Sequence, residues 1–229
     1  MPEEIQKGTL YLVATPIGNM EDITYRAVKI LSSVDLIAAE DTRTTKVLLD
    51  HYNISKPMLS YFSYNEKQRT PQLIERLKEG ASIALVSDAG TPGISDPAFH
   101  IVRVALEHLI PIIPIPGPTA FVAALIVSGL ATESFVFEGF PPVKKGRKTL
   151  FERLQHESRT IVIYESSHRI QKTLREINQY WGNRRVVVAR ELTKKFEEVI
   201  RGSLSEVLPL IELKTPKGEY VVVVEGKKR

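Results

Sequence analysis

Cysteine is missing altogether from these 229 residues, which removes disulfide frameworks, thiolate metal sites and cysteine nucleophiles in one step. Histidine is sparse: His51, His100, His108, His156 and His168 stand far apart. Neither H-x-E, H-E-x-x-H nor a carboxylate cluster at ligand spacing occurs, so no protein-bound metal is expected. Long hydrophobic runs are lacking too. The first apolar stretch, Leu10 to Ala14, is too short for a leader core or a membrane span, and Met1-Pro2-Glu3-Glu4 is acidic where a secretory leader is basic. A cytoplasmic protein is expected. Neither G-x-G-x-x-G nor G-x-x-x-x-G-K-[ST] is present, which disfavours dinucleotide and triphosphate cofactors. The absence of G-x-S-x-G lowers a serine-hydrolase reading.

What is present is a chain with 43% hydrophobic content, enough for one large core or two modest ones. Charge is unevenly spread. Residues 1–115 carry 11 basic and 14 acidic side chains, whereas residues 116–229 carry 20 and 13. The excess includes Lys144-Lys145-Gly146-Arg147-Lys148 and Arg184-Arg185. That asymmetry fits a polyphosphate held mainly by the second half; charge alone fits solubilising surface lysine equally well.

Short β-branched runs alternate with amphipathic stretches throughout, the pattern of an α/β protein. Strands are expected at Thr9–Ala14, Asp35–Ala39, Met58–Tyr61, Ser82–Val86 and Ile110–Ile115, forming one sheet. Helices are expected at Thr24–Leu31, Thr42–His51, Pro71–Glu79 and Pro97–Leu109, with Pro71 and Pro97 in first turns. The run Pro111, Pro114, Pro116-Gly117-Pro118 interrupts regular structure. A boundary is therefore placed there, giving domains of 1–116 and 117–229. Beyond it come helices at Thr119–Gly129, Lys148–Gln155, His168–Tyr180 and Ser203–Leu213, with strands at Phe135–Phe137, Thr160–Tyr164, Arg185–Ala189 and Tyr220–Glu225. The second unit thus has four or five strands.

Ligands of such sheets bind beyond the carboxyl ends of strands. Three loops of the first half stand there: Thr15-Pro16-Ile17-Gly18-Asn19, Glu40-Asp41-Thr42-Arg43, and Ser87 to Pro97. In the third, Asp88 offers a hydrogen-bond acceptor while Ala89 and Gly90 permit close backbone approach. A ligand with hydroxyls, an amine and no phosphate suits it, and S-adenosylmethionine has that description. A plain surface turn also fits Ser87–Pro97, and helix capping fits Glu40 and Asp41. In the second half, Glu165, His168 and Glu191 follow strands and are candidate bases toward a hydroxyl. Arg169, Arg190 and Lys195 are candidate phosphate contacts beside Lys144, Lys145, Arg147 and Lys148.

Taken in order, several blocks carry a resemblance that spans nearly the whole chain. They are Ala14 to Asn19 with Glu21 to Thr24, Glu40 to Arg43, Ser87 to Pro97, Pro116 to Ala120, Phe137 to Phe140, Glu165 to Arg169 and Arg190 to Lys194. The sequence resembles the small-subunit rRNA (cytidine-2′-O)-methyltransferase I family of the tetrapyrrole methylase superfamily. Ser167 departs from the family, where many relatives have proline before His-Arg. The resemblance implies two α/β domains outside the usual Rossmann methyltransferase fold, a homodimer, and S-adenosylmethionine in the interdomain cleft. It further implies cofactor contacts at Pro16, Asp88, Ala89, Gly90, Thr91, Ile94, Thr119, Ala120, Tyr164 and Ala189. The acceptor would be the ribose 2′-hydroxyl of a cytidine in small-subunit rRNA, within the 30S particle. Glu165, His168, Glu191, Glu40 and Asp41 are then the candidates to take its proton. Tetrapyrrole or protein methylation, and a non-catalytic RNA-binding module, are the rival readings.

Overall fold

A computed structural model describes residues 5–228, which divide into two compact units, one running through Thr119 and one from Ala120 onward. The proline run lies just before this division.

The first unit holds a five-stranded, all-parallel sheet. Its strands are β1 (Leu10–Val13), β2 (Leu36–Ala39), β3 (Met58–Ser60), β4 (Ile83–Val86) and β5 (Ile112–Ile115), in the order β3-β2-β4-β1-β5. Alternate residues of each strand face opposite sides. Leu10, Leu36, Ala38, Ile83 and Leu85 pack on one side with α3 (Glu66–Lys78) and α4 (Phe99–Glu107). Tyr11, Val13, Ile37, Ala39, Ala84 and Val86 pack on the other with α1 (Tyr25–Ser33) and α2 (Thr42–His51). Covering both faces is what a parallel sheet requires. Pro114 is tolerated because β5 is an edge strand.

Helix starts follow local chemistry. Thr24 caps α1 by accepting from Ala27 N at 3.1 Å, and Asp41 caps α2 by accepting from Arg43 N at 2.8 Å. Two proline-based starts are corrected. Helix α3 begins at Glu66, so Pro71 lies inside it, and α4 begins at Phe99, two residues after Pro97. The buried stripe Thr70, Leu73, Ile74 and Leu77 fixes α3 against the sheet and carries the helix past the proline.

The second unit holds a mixed five-stranded sheet in the order β6-β7-β10-β8-β9. Its strands are β6 (Phe135–Phe137), β7 (Thr160–Ser166), β8 (Arg185–Arg190), β9 (Glu198–Ser203) and β10 (Glu219–Val224). Only β6 and β7 run parallel. One face packs on α6 (Arg147–Leu154), α7 (Ile170–Trp181) and α8 (Leu204–Glu212); the other packs on α5 (Ala120–Ile126). Among the described residues no helix is long and apolar enough to cross a membrane.

Candidate functional site

Strands β1 and β4 are neighbours, yet the chain leaves β1 for α1 on one face of the sheet and leaves β4 for α4 on the other. Loops that leave adjacent parallel strands for opposite faces open a crevice at the strands' carboxyl ends. Here those loops are Thr15–Asn19 and Ser87–Pro97. A two-way backbone bridge joins them: Thr15 N donates to Gly90 O at 2.9 Å and Gly90 N donates to Thr15 O at 3.0 Å. Thr15 Oγ1 also donates to Ser87 O at 3.2 Å. The segment after β5 joins the same cluster, because Thr91 Oγ1 donates to Pro118 O at 3.2 Å and shares a 2.7 Å hydrogen bond with Thr119 Oγ1.

Two glycines make this closeness possible. Gly90 adopts φ +83°, a conformation other residues rarely hold. At Gly117 an added Cβ would lie 2.8 Å from Ala14 Cβ, closer than methyl groups pack. Pro16, Asp88, Ala89, Gly90, Thr91 and Thr119 thus come together, and Ile94 N donates to Thr91 O at 3.1 Å. Ala120 opens α5 in the second unit. Tyr164 and Ala189 flank Val221 in register across the second sheet. The Tyr164 hydroxyl accepts from Phe121 N at 3.1 Å, while Ala189 is buried with Ala124 and Leu125.

Carboxylates tie the second loop to the fourth strand's exit. Glu40 Oε2 accepts from Asp88 N at 3.2 Å, and Asp88 Oδ1 accepts from Asp41 N at 3.0 Å. Burial pushes the Glu40 and Asp88 carboxyls above the usual carboxylate range. Asp96 is pushed furthest, to about 7, by burial first and then by the charge of Glu40. Sequence reasoning missed Asp96 because Ser95-Asp96-Pro97 reads as an ordinary turn; the available signal was its place in a loop that follows a buried strand. Asp41 goes the other way, to about 2, because the Arg43 side chain and backbone both donate to it. Of its two readings, the helix cap is the one this geometry favours.

In the second unit the fold encloses two of the candidates. Glu165 is 1% exposed, and its oxygens accept from Thr173 Oγ1 at 2.6 Å and Ser166 N at 2.8 Å while Arg169 Nη2 pairs with it at 2.7 Å. A carboxylate so enclosed does not meet an RNA hydroxyl. Arg147 is 4% exposed and donates to Pro142 O at 3.1 Å, Thr173 Oγ1 at 2.6 Å and Glu176 Oε2 at 2.8 Å. It therefore holds the fold and offers nothing to a phosphate. Its place in a lysine-rich run hid this burial from sequence reasoning.

The other second-unit candidates divide by exposure. Lys144, Lys145, Lys148, Lys195 and His168 are exposed. Lys148 faces Glu152 at 3.5 Å, and Lys195 lies 5.7 Å from the Phe196 ring centre. Arg169 donates to Pro141 O at 2.8 Å, and Arg190 to Lys217 O at 2.8 Å. Glu191 sits at φ +49° and accepts from Glu219 N at 3.0 Å and Lys194 Nζ at 2.9 Å. Burial works to raise its carboxyl, but these donors outweigh burial and hold it below the usual range. That makes it a weak base.

Comparison with known proteins gives a consistent picture. The family model described as Tetrapyrrole (Corrin/Porphyrin) Methylases matches residues 9–208. The chain is 52% identical to ribosomal RNA small subunit methyltransferase I of Synechocystis sp., covering 96% of this chain and 79% of that protein. It is 48% identical to the protein of the same name from Thermotoga maritima, covering 96% and 99%. Among solved structures, a cobalt precorrin-4 methyltransferase matches with a TM-score of 0.69 at 17% identity, covering 95% of each chain. Uroporphyrin-III-C-methyltransferase from Thermus thermophilus matches at 0.67 and 19%, covering 95% of this chain and 94% of that one. At these identities the two structures speak for the fold alone.

Proposed function

The chain belongs to the ribosomal RNA small subunit methyltransferase I family, within the tetrapyrrole methylases, and we propose that it methylates the ribose 2′-hydroxyl of a cytidine in small-subunit rRNA with S-adenosylmethionine as donor. Besides kinship, the observation that carries the reading is the bridged crevice of the first unit. Its residues fit this donor. The loop 87–97 holds no lysine or arginine and no phosphate cradle. Glu40, Asp88 and Asp96 instead gather negative charge suited to a sulfonium cation and to nucleoside hydroxyls. Gly90 and Gly117 bring the backbone closer than side chains would permit.

In this proposal Pro16, Asp88 to Thr91, Ile94 and Thr119 of the first unit hold the donor. When bound, S-adenosylmethionine supplies a methyl group already activated by its positive sulfur. The chain's own work is to orient the acceptor oxygen and take up its proton. Asp96, beside Glu40 and raised to about 7, is assigned that proton, with Glu40 and the exposed His168 as the other candidates. The protein is proposed to act in the cytoplasm, as a homodimer, on RNA within the 30S particle.

The test is direct. Incubation with labelled donor and unmodified 30S particles, followed by nuclease digestion and mass spectrometry, is expected to place one methyl on a cytidine ribose. Label in protein, or none at all, would overturn the proposal.

A further inference from the structure

Resting on that reading, we infer that Phe140 is a stacking platform for an unpaired base of the RNA, with Lys144 and Lys145 holding the flanking phosphates. Phe140 is 53% exposed although its ring lies 5.5 Å from that of Tyr164. Tyr164 in turn meets Phe137 edge-on at 5.0 Å, and Phe137 stacks on Phe121 at 4.5 Å. A file of aromatic rings thus runs through the second unit, from Phe135, which meets Phe121 at 5.9 Å and is 37% exposed, to Phe140, its more open end.

The loop that carries this open end is anchored at three points. Arg169 Nη1 donates to Pro141 O at 2.8 Å, Arg147 Nη1 donates to Pro142 O at 3.1 Å, and Arg153 pairs with Glu138 at 2.7 Å. Both anchoring guanidiniums are themselves fixed by buried Glu165, at 2.7 Å for Arg169 and 3.9 Å for Arg147. Glu165 and Arg147 are therefore positioning residues for the platform. Immediately beyond the anchors, Val143, Lys144 and Lys145 are exposed, and among the described residues neither lysine has an ion-pair partner.

An open aromatic face beside free cations matches single-stranded nucleic acid, whose bases stack and whose phosphates repeat along the strand. Charge decides the occupant, since an apolar protein patch would gain nothing from two unpaired lysines. The rigidity also matters: a ring already held in place loses little freedom when a base settles on it.

The experiment measures anisotropy of fluorescein-labelled single-stranded oligocytidylate against salt concentration, with calorimetry of S-adenosylmethionine on the same preparations. Phe140→Leu is expected to weaken oligocytidylate binding on the order of tenfold while leaving the salt slope and donor binding unchanged. Phe140→Tyr is expected to restore binding. Replacing Lys144 and Lys145 by alanine is expected to lower the slope by about 0.7 for each phosphate no longer neutralised. Unchanged binding in Phe140→Leu, equal losses in the Leu and Tyr variants, or a loss seen only with intact subunits, as a protein interface would give, overturns the platform. Methyl transfer by the unaltered chain, measured alongside, separates the two readings: transfer with an indifferent Phe140 overturns the platform alone.

Discussion

Asp96 carries a measurable signature of its surroundings. Its carboxyl binds a proton more tightly in the folded chain, at about 7, than at the ordinary value of 3.8. Ionisation therefore costs folding stability, and that cost grows as pH rises from about 4 to about 7 and is constant above. Asp96→Asn is expected to remove this slope and to gain about 1–2 kcal/mol near pH 8 in denaturant unfolding, solvent screening of a half-buried group included. If Asp96 also takes the acceptor's proton, the same change lowers methyl transfer by about a hundredfold or more and abolishes its rise through neutral pH. An activity profile that keeps that rise would return the role to Glu40 or His168. Glu165 makes the opposite case. Glu165→Gln strands two guanidiniums around a buried site, with an expected cost of about 3–5 kcal/mol. A catalytic role would instead show normal unfolding and lost activity.

At the scale of elements, regular structure was legible wherever one period dominated. Helix α2 was readable to its ends because Asp41 caps a clean amphipathic stripe, and the inner parallel strands β2 and β4 were readable because every residue in them is buried. Strand β9 was not readable. Its sequence Glu-Val-Ile-Arg-Gly-Ser alternates weakly, includes a glycine, and lies at a sheet edge where partial burial suffices. The start of α3 was missed because Glu66 to Arg69 are polar and Pro71 mimics a first turn. The loops of the crevice were legible as places but not as neighbours, since no periodicity announces that Thr15 meets Gly90 or that Gly117 meets Ala14. Gly117→Ala tests that closeness. With a methyl 2.8 Å from Ala14 Cβ, the loop must shift, with an expected loss of about 1–3 kcal/mol of stability and of donor binding by calorimetry. Full donor affinity in this variant would show that the approach is incidental.

The charge division between the halves belongs to the whole molecule. The basic excess after residue 115 was legible by counting, but the count did not separate Arg147, which is buried, from Lys144 and Lys145, which are open. Burial depends on what α7 brings to α6, and no local pattern reports that. Affinity for RNA is accordingly expected to fall with salt less steeply than the full basic run would imply. Restoring Arg147 to the tally would add about 0.7 to the slope in single-stranded binding. Charge reversal at Arg147 is expected to unfold the second unit before it alters any salt response.

The position of β10 has a bearing on how the chain is made. It is the central strand of the second sheet yet, of the ten strands among the described residues, the last to leave the ribosome. Until it arrives, β7 and β8 face each other across a gap with their inner edges unpaired, a surface on which nascent chains stick to one another. The parallel sheet of the first unit, by contrast, has all its strands once Ile115 has emerged. Synthesis thus delivers a finished half first and leaves the other half waiting on its keystone, the interval in which a chaperone has most to protect.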